Sequence, residues 1–478
     1  MASCVWRGDE GSGHSLAIVG DGLCAALARR GVAVEHMPVA AAPAGSPAPG
    51  VASHWPPRFE APSDGPFVLY QPWEFGEAPA LWAERIRELV DEVWTPSAYA
   101  REAYLRAGVA PQLVHVVPNG VDLERFRPEG PARPLPVRRG TVLLFVGGTT
   151  HRKGIDLLLA AYGRAFDADD DVVLVVKGFG SDTYYRGQTA EPLLAELAAR
   201  PGAPALVSLD GTLRYDELPA LYRAADCVVQ PYRGEGFCLP ALEALACGKP
   251  LVVTAGGPTD EFASDACAWR VPSRRVGFEP GRLPEDLRPA GEGFLLEPDL
   301  DALAECLREA ADPSLRARRA AAAREHAERF GWDAAAGAAA RRLEALSGTT
   351  PIRTVPAAVV PGARGTVFAA AADWREPATW VPALEAYAAA FGPADDTTLV
   401  LPAEDGAAAS AAVAAHLERA ALDLDALPDV VVADAAALSP EALELVADAF
   451  ICGAGERPAR ARRLCPPERD ALRSLVHS

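Results

Sequence analysis

Residues 227–254 read CVVQPYRGEGFCLPALEALACGKPLVVT, and the order of residue types in this stretch decides the fold. Cys227–Gln230 and Leu251–Thr254 are short apolar, β-branched runs with no polar alternation. Between them lie a glycine-bearing loop and a helical segment, with Pro240 in its first turn and Gly248 at its end, the usual placement of those two residues. Strands that read as continuous apolar runs and are joined through helices belong to parallel sheets covered on both faces. The same alternation extends outward. Phe67-Val-Leu-Tyr, Glu92-Val-Trp-Thr, Leu113-Val-His-Val-Val, Thr141-Val-Leu-Leu-Phe-Val and Val172-Val-Leu-Val-Val are strand-like, with helix-like stretches at Ala80–Val90 and Ala98–Ala107. The predicted class is α/β, with doubly wound Rossmann-like sheets.

Two breaks divide the chain. Pro128 to Gly140 (PEGPARPLPVRRG) holds four prolines and no periodicity, which suits an interdomain linker. A second break begins at Gly348-Thr-Thr-Pro. The expected domains are therefore 1–136, 137–347 and a smaller α/β extension, 348–478. The extension echoes the second domain: at an offset of 225, 12 of 37 ungapped positions match between 140–176 and 365–401. It reads as a degenerate partial repeat. It carries Pro377 and Ala378 opposite Arg152 and Lys153 and no Glu-x7-Glu, so the ligand of the second domain is not expected there, and the extension is expected to serve packing or an interface.

Composition narrows the function classes. The 478 residues are half hydrophobic, which excludes a disordered chain, and carry a formal charge of −19, which opposes general nucleic-acid binding. Nine scattered cysteines without a CxxC pair read as reduced thiols, many of them buried, and point to the cytoplasm. The start shows no signal-peptide pattern, and no apolar run is long enough for a transmembrane segment. Residues 1–136 hold 11 arginines and no lysine against 16 acidic residues, which disfavours a broad basic membrane patch and favours a soluble acceptor. Richness in alanine and arginine suits a GC-rich bacterial genome.

Four segments are candidates for chemistry. In Phe145-Val-Gly-Gly-Thr-Thr-His-Arg-Lys-Gly-Ile-Asp, Arg152 and Lys153 stand where a strand's carboxyl end meets a helix entrance. Two cations beside the positive end of a helix dipole make an anion site. Lys153 is one of only three lysines in the chain. In Gly234-Glu-Gly-Phe-Cys-Leu-Pro-Ala-Leu-Glu, Glu235 and Glu243 are separated by seven residues and could reach opposite ends of one extended ligand. The backbone amides of Phe237, Cys238 and Leu239 lie between them, free to meet oxyanions, while Gly234 and Gly236 permit a close approach to the ligand. Vicinal hydroxyls of a ribose or a sugar are natural partners for the carboxylates. The opening loop Arg7-Gly-Asp-Glu-Gly-Ser-Gly-His14 offers Gly13 for a close backbone approach and His14 for contact, capping or packing. After the strand Phe67–Tyr70, Gln71-Pro-Trp-Glu-Phe offers Glu74 as an acceptor contact or base, with Trp73 and Phe75 reading best as core aromatics. No grouping has metal-ligand spacing, so neither a metal nor a bound cofactor is expected.

Taken together these motifs resemble the family-4 glycosyltransferases, retaining nucleotide-sugar enzymes with two facing Rossmann-like domains, the GT-B architecture. The most specific match is the Glu-x7-Glu motif, Glu235-GFCLPAL-Glu243 followed by LACGKP; VVPNGVD at 116–122, THRKGIDLLLAAY at 150–162, DCVVQPY at 226–232 and Phe330-Gly-Trp-Asp support it. The resemblance spans about residues 3–345. It implies that Arg152 and Lys153 hold the donor diphosphate and act catalytically with Glu235, which faces the donor sugar. Glu243 would bind the nucleotide ribose, the amides of Phe237, Cys238 and Leu239 would surround sugar and phosphate, and Gly13 would line the diphosphate. Two positions depart from the family pattern: Gly148 stands where many relatives carry arginine, and Gln71-Pro-Trp-Glu lies near where many carry a histidine. The implied activity is metal-independent transfer of a sugar, with retained anomeric configuration, from a nucleoside diphosphate sugar to a hydroxyl acceptor. The rival readings are a nucleotide-sugar epimerase and a non-catalytic donor-binding or scaffold protein.

Overall fold

In the computed structural model, the residues described are 2–9, 14–137, 140–178, 189–209, 213–277, 283–352, 363, 365–420, 428–434, 443, 447–452 and 464–476. Three parallel sheets form among them. The first is ordered β2-β1-β3-β4-β5-β6, from β1 (Ser3–Gly8), β2 (Ala33–Met37), β3 (Gly50–Ser53), β4 (Phe67–Tyr70), β5 (Glu92–Thr95) and β6 (Val114–Val116). Helices α1 (Ser15–Arg29), α2 (Ala80–Leu89) and α3 (Ala98–Arg106) connect them. Arg7 and Gly8 thus belong to β1 rather than to an opening loop; the turn signal of Gly8-Asp9 begins one strand-end later than the sequence suggests.

The second sheet is ordered β12-β11-β10-β7-β8-β9. Its strands are β7 (Thr141–Gly147), β8 (Val172–Gly178), β9 (Ala205–Leu209), β10 (Cys227–Gln230), β11 (Leu251–Thr254) and β12 (Ala268–Val271). The strands of the central runs are buried along their length, which is why they read as apolar without alternation. Helices α4 (Ile155–Ala165), α5 (Glu191–Ala199), α6 (Leu218–Ala224) and α7 (Leu239–Ala246) lie between strands. An antiparallel ribbon, β13 (Ser273–Gly277) with β14 (Phe294–Pro298), follows, and α8 (Leu300–Ala311), α9 (Pro313–Glu328) and α10 (Trp332–Leu346) close the segment.

The first two units are laced together. The proline-rich stretch is pinned rather than loose: Arg133 N–H donates to Ala220 O at 2.8 Å, and Arg223 donates to Pro131 O at 2.9 Å. Helix α10 crosses back onto the first unit, where Gly22 of α1 and Gly120 leave room for the Trp332 indole. Arg342 of α10 forks onto the buried Glu92 carboxylate of β5.

The third sheet is ordered β17-β16-β15-β18-β19, from β15 (Thr366–Ala370), β16 (Thr397–Ala403), β17 (Asp429–Asp434), β18 (Ala449–Ile451) and β19 (Leu464–Cys465), with α11 (Val381–Ala390), α12 (Gly406–Arg419) and α13 (Arg469–Val476). The offset of 225 carries register as well as sequence. Thr141 pairs with Val172 in the β7–β8 ladder, and Thr366 pairs with Thr397 in the β15–β16 ladder. Tyr162 packs on Phe166 at 5.4 Å, and Tyr387 on Phe391 at 5.2 Å.

Candidate active site

Parallel sheets gather loops at the carboxyl ends of their strands, and here two such edges meet. After β7 the chain makes a one-turn 3-10 helix, His151–Lys153, and then passes Gly154 at φ 71° before α4 begins. Only glycine fits there, because a Cβ would overlap the Pro231 carbonyl oxygen. Arg152 and Lys153 therefore sit on a rigid turn just ahead of α4. The β10–α7 loop is laced to that turn. Arg233 N–H donates to Arg152 O at 2.8 Å, and Arg152 Nη1 donates to Gly234 O at 2.8 Å. The buried Arg233 guanidinium, which sequence reading did not single out, braces the loop through Asp156 at 2.7 Å and Glu297 at 2.6 Å.

This lacing brings four charged side chains together. Glu235 is buried against Lys153 Nζ, and its other oxygen lies 3.7 Å from Arg152 Nη1. Glu74, from the loop after β4, lies 3.7 Å from the same Arg152 nitrogen. Glu74 thus stands beside the cations. Gly234 and Gly236 do permit a close approach, but what they admit is the first unit's own chain. A Cβ on Gly234 would stand 2.6 Å from Glu74 O, and one on Gly236 2.8 Å from Pro72 Cβ. Ser97 Oγ seals the contact by donating to Gly236 O at 2.6 Å.

Glu243 lies elsewhere. On α7 it is only 3% exposed, and Tyr222 Oη donates to its Oε2 at 2.7 Å. Burial pushes its carboxyl up to about 7, with Tyr222, Tyr215 and then Arg125 pulling the other way. Phe237, Cys238 and Leu239 are buried at the start of α7, ahead of its hydrogen-bond ladder, so their amides are at the positive end of the helix. Cys238 adopts φ 75°, among the described residues the one non-glycine with a left-handed backbone. Such strain costs about 1–2 kcal/mol and concentrates at functional turns. Burial also raises the Cys238 thiol far above its ordinary range.

Of the remaining candidates, His14 precedes α1 without capping it, and its Nε2 lies 3.0 Å from Asp9 Oδ2. Gly13 lies outside the described residues. Trp73 is fully buried against Trp82 at 5.0 Å, and Phe75 packs on Trp73 at 5.2 Å. No group of three or more His, Cys, Asp or Glu side chains that could hold a metal occurs among the described residues.

Comparison with known proteins follows this geometry. Residues 132–326 match the family described as Glycosyl transferases group 1, and residues 53–125 match Glycosyltransferase Family 4. The two-sheet body has the GT-B fold. Anabaena HepE in complex with UDP-glucose superposes with a TM-score of 0.52 at 14% identity, covering 72% of this chain and 100% of that one. Sucrose-phosphate synthase from Thermosynechococcus elongatus does so with a TM-score of 0.51 at 19% identity, covering 72% and 99%. Among individual proteins, a D-inositol 3-phosphate glycosyltransferase of Streptomyces bingchenggensis is 34% identical over 268 residues, 54% of this chain and 53% of that protein. One of Geodermatophilus obscurus is 40% identical over 166 residues, 33% and 36%. The chain spans about half the length, or less, of these curated relatives. No helix of the described residues is long and apolar enough to cross a membrane.

Proposed function

We propose that this protein is a cytoplasmic glycosyltransferase that moves a sugar from a nucleoside diphosphate donor to a hydroxyl acceptor, retaining anomeric configuration and without a divalent metal. One observation carries the reading: Arg152 and Lys153 converge with Glu235 and Glu74 where the carboxyl edges of two sheets meet. Two cations held by two carboxylates form a nearly neutral cluster, and an arriving diphosphate competes for the cations. Its oxygens take Arg152 in a forked contact and Lys153 as a point charge. Glu235, released from Lys153, is then an acceptor for sugar hydroxyls.

Cleavage of the anomeric C–O bond places negative charge on the leaving diphosphate, and the same cations, with the amides of Phe237, Cys238 and Leu239, stabilise that charge as it forms. The acceptor hydroxyl approaches from the same face, and its proton passes to the departing phosphate oxygen. Glu243 accepts from the ribose hydroxyls. Because Tyr222 Oη already donates to Oε2, the ribose hydroxyls use the other oxygen or displace that bond.

The test is calorimetric titration of the full chain with UDP, GDP and dTDP. One nucleotide is expected to bind, and Glu243→Ala is expected to weaken it by roughly 1–3 kcal/mol. Lys153→Ala should weaken the diphosphate more than the nucleoside. Transfer should survive a chelator, and NMR of the product should show the donor's anomeric configuration. Failure of all three nucleotides to bind tighter than about 1 mM sinks the proposal.

A further inference from the structure

The carboxyl ends of β1, β3 and β4, neighbours in the first sheet, hold buried polar atoms with no partner that the donor reading does not use. Arg7, only 2% exposed, ends β1; its Nη1 reaches the Glu60 carbonyl at 3.4 Å, while Nε and Nη2 have no partner. Those two nitrogens form one edge of the guanidinium, so among the described residues a complete forked edge is buried without a partner. Ser53 Oγ and His54 Nε2, 1% and 4% exposed at the end of β3, are likewise unpartnered, as is Gln71 Oε1 after β4.

The ladders place Arg7, His54 and Gln71 on one face: Arg7 pairs with Ala52, and Ala52 with Leu69, which sets His54 between Arg7 and Gln71, whereas Ser53 pairs with Gly8 and faces the other side of the sheet. Among the described residues the acids nearby do not fill the edge, since Asp9 pairs with His14 at 3.0 Å and Glu60 is exposed. Burial, with Arg58 and Arg7 close by, keeps His54 below its ordinary range despite Asp9. A guanidinium stays charged when buried, and leaving its donors unmet costs free energy that a fold does not retain without use. Beside the cluster Trp55 is 42% exposed and stacked on Trp73 at 6.4 Å, offering an apolar face.

We propose that these strand ends form an oxyanion subsite for the acceptor, in which the Nε/Nη2 edge of Arg7 grips a phosphate or carboxylate and His54 adds a hydrogen bond. Assigning the anion to an acceptor rests on the glycosyl-transfer reading; binding of the anion does not. Trp55 then packs against the remainder of that molecule. Arginine and a planar or tetrahedral oxyanion match in geometry as well as charge.

The experiment uses the full chain with histidine labelled by nitrogen-15 and UDP saturating, so that the donor cations are filled. His54 is assigned by the loss of its signal in His54→Gln. Inorganic phosphate and acetate are titrated separately, with chloride as ionic-strength control. Saturable movement of the His54 signal is expected below about 50 mM with at least one of the two ions, weakened roughly tenfold or more in Arg7→Gln and partly restored in Arg7→Lys. The ion that works tells a phosphorylated from a carboxylated acceptor. No saturable shift with either ion, or equal affinity in Arg7→Gln, overturns the proposal. An Arg7→Gln chain that keeps its UDP affinity is folded, and if it is not, the wild-type titration still decides. Absence of UDP binding sinks the transferase reading separately, because the His54 signal reports the anion directly.

Discussion

Glu243 shows at the scale of one residue how burial changes the role of a side chain. The motif spacing places it on α7, but its enclosure by Tyr222 and Tyr215 comes from α6 and the turn before it. Its carboxyl, raised to about 7, keeps its proton in the folded state after the unfolded chain has lost it. The folded state therefore binds more protons between the ordinary glutamate range and about 7, and stability falls as pH rises through that window. The expected loss is on the order of 3 kcal/mol, complete above the window and absent in Glu243→Gln. Urea unfolding from pH 4 to 9 checks it; parallel profiles for both proteins would rule the idea out. Cys238 makes the complementary point. Nothing in a cysteine announces a left-handed backbone, and a β-branched residue there is nearly forbidden, so Cys238→Val should cost about 2–3 kcal/mol by the same measurement.

Elements explain why the charged cluster forms at all. The turn His151–Lys153 and helix α4 are joined at Gly154, whose positive φ and contact with Pro231 hold Arg152 and Lys153 against the β10–α7 loop. Gly154→Ala should cost about 2–3 kcal/mol and weaken nucleotide binding, because the turn must lift off that loop. Thermal unfolding together with calorimetry tests this; lost stability with unchanged affinity would show that the turn does not position the cations. Much at this scale was legible in sequence. Helices α2, α3 and α7 and the central strands fall within a residue or two of where periodicity and Pro/Gly punctuation place them. β1, β2, β3, β9, β12, β13 and β14 were missed; β1, β3 and β12 lie in stretches rich in glycine, alanine or cysteine with little β-branched signal. Arg7 and His54, which carry the proposed anion subsite, went unnoticed with them, since an arginine in a glycine-rich opening reads as a loop.

At the scale of the whole molecule, crossings of the chain join the first two units. The linker is strapped to α6, and α10 returns to lie on α1 and β5. Gly22→Val would push a side chain into the Trp332 indole and should cost roughly 1–3 kcal/mol, measured by denaturant unfolding. A variant as stable as the parent would mean that α10 docks without that contact. The third unit repeats the β7–α4–β8 geometry at a constant offset, with the register of its first ladder preserved.

Apolar runs and their helical interruptions determined by themselves the α/β class, and with the Glu-x7-Glu spacing they singled out the candidate residues and the loops that carry them. These are local properties, written in periodicity and turn chemistry over a dozen residues. Only the tertiary structure decided which charges meet. Glu74 joins Arg152, Glu243 slips beneath Tyr222, and Arg7 keeps a buried, unpartnered edge among the described residues beside His54. Each of those outcomes depends on which strands are neighbours and on how two sheet edges face, and long-range packing, not spacing along the chain, sets both.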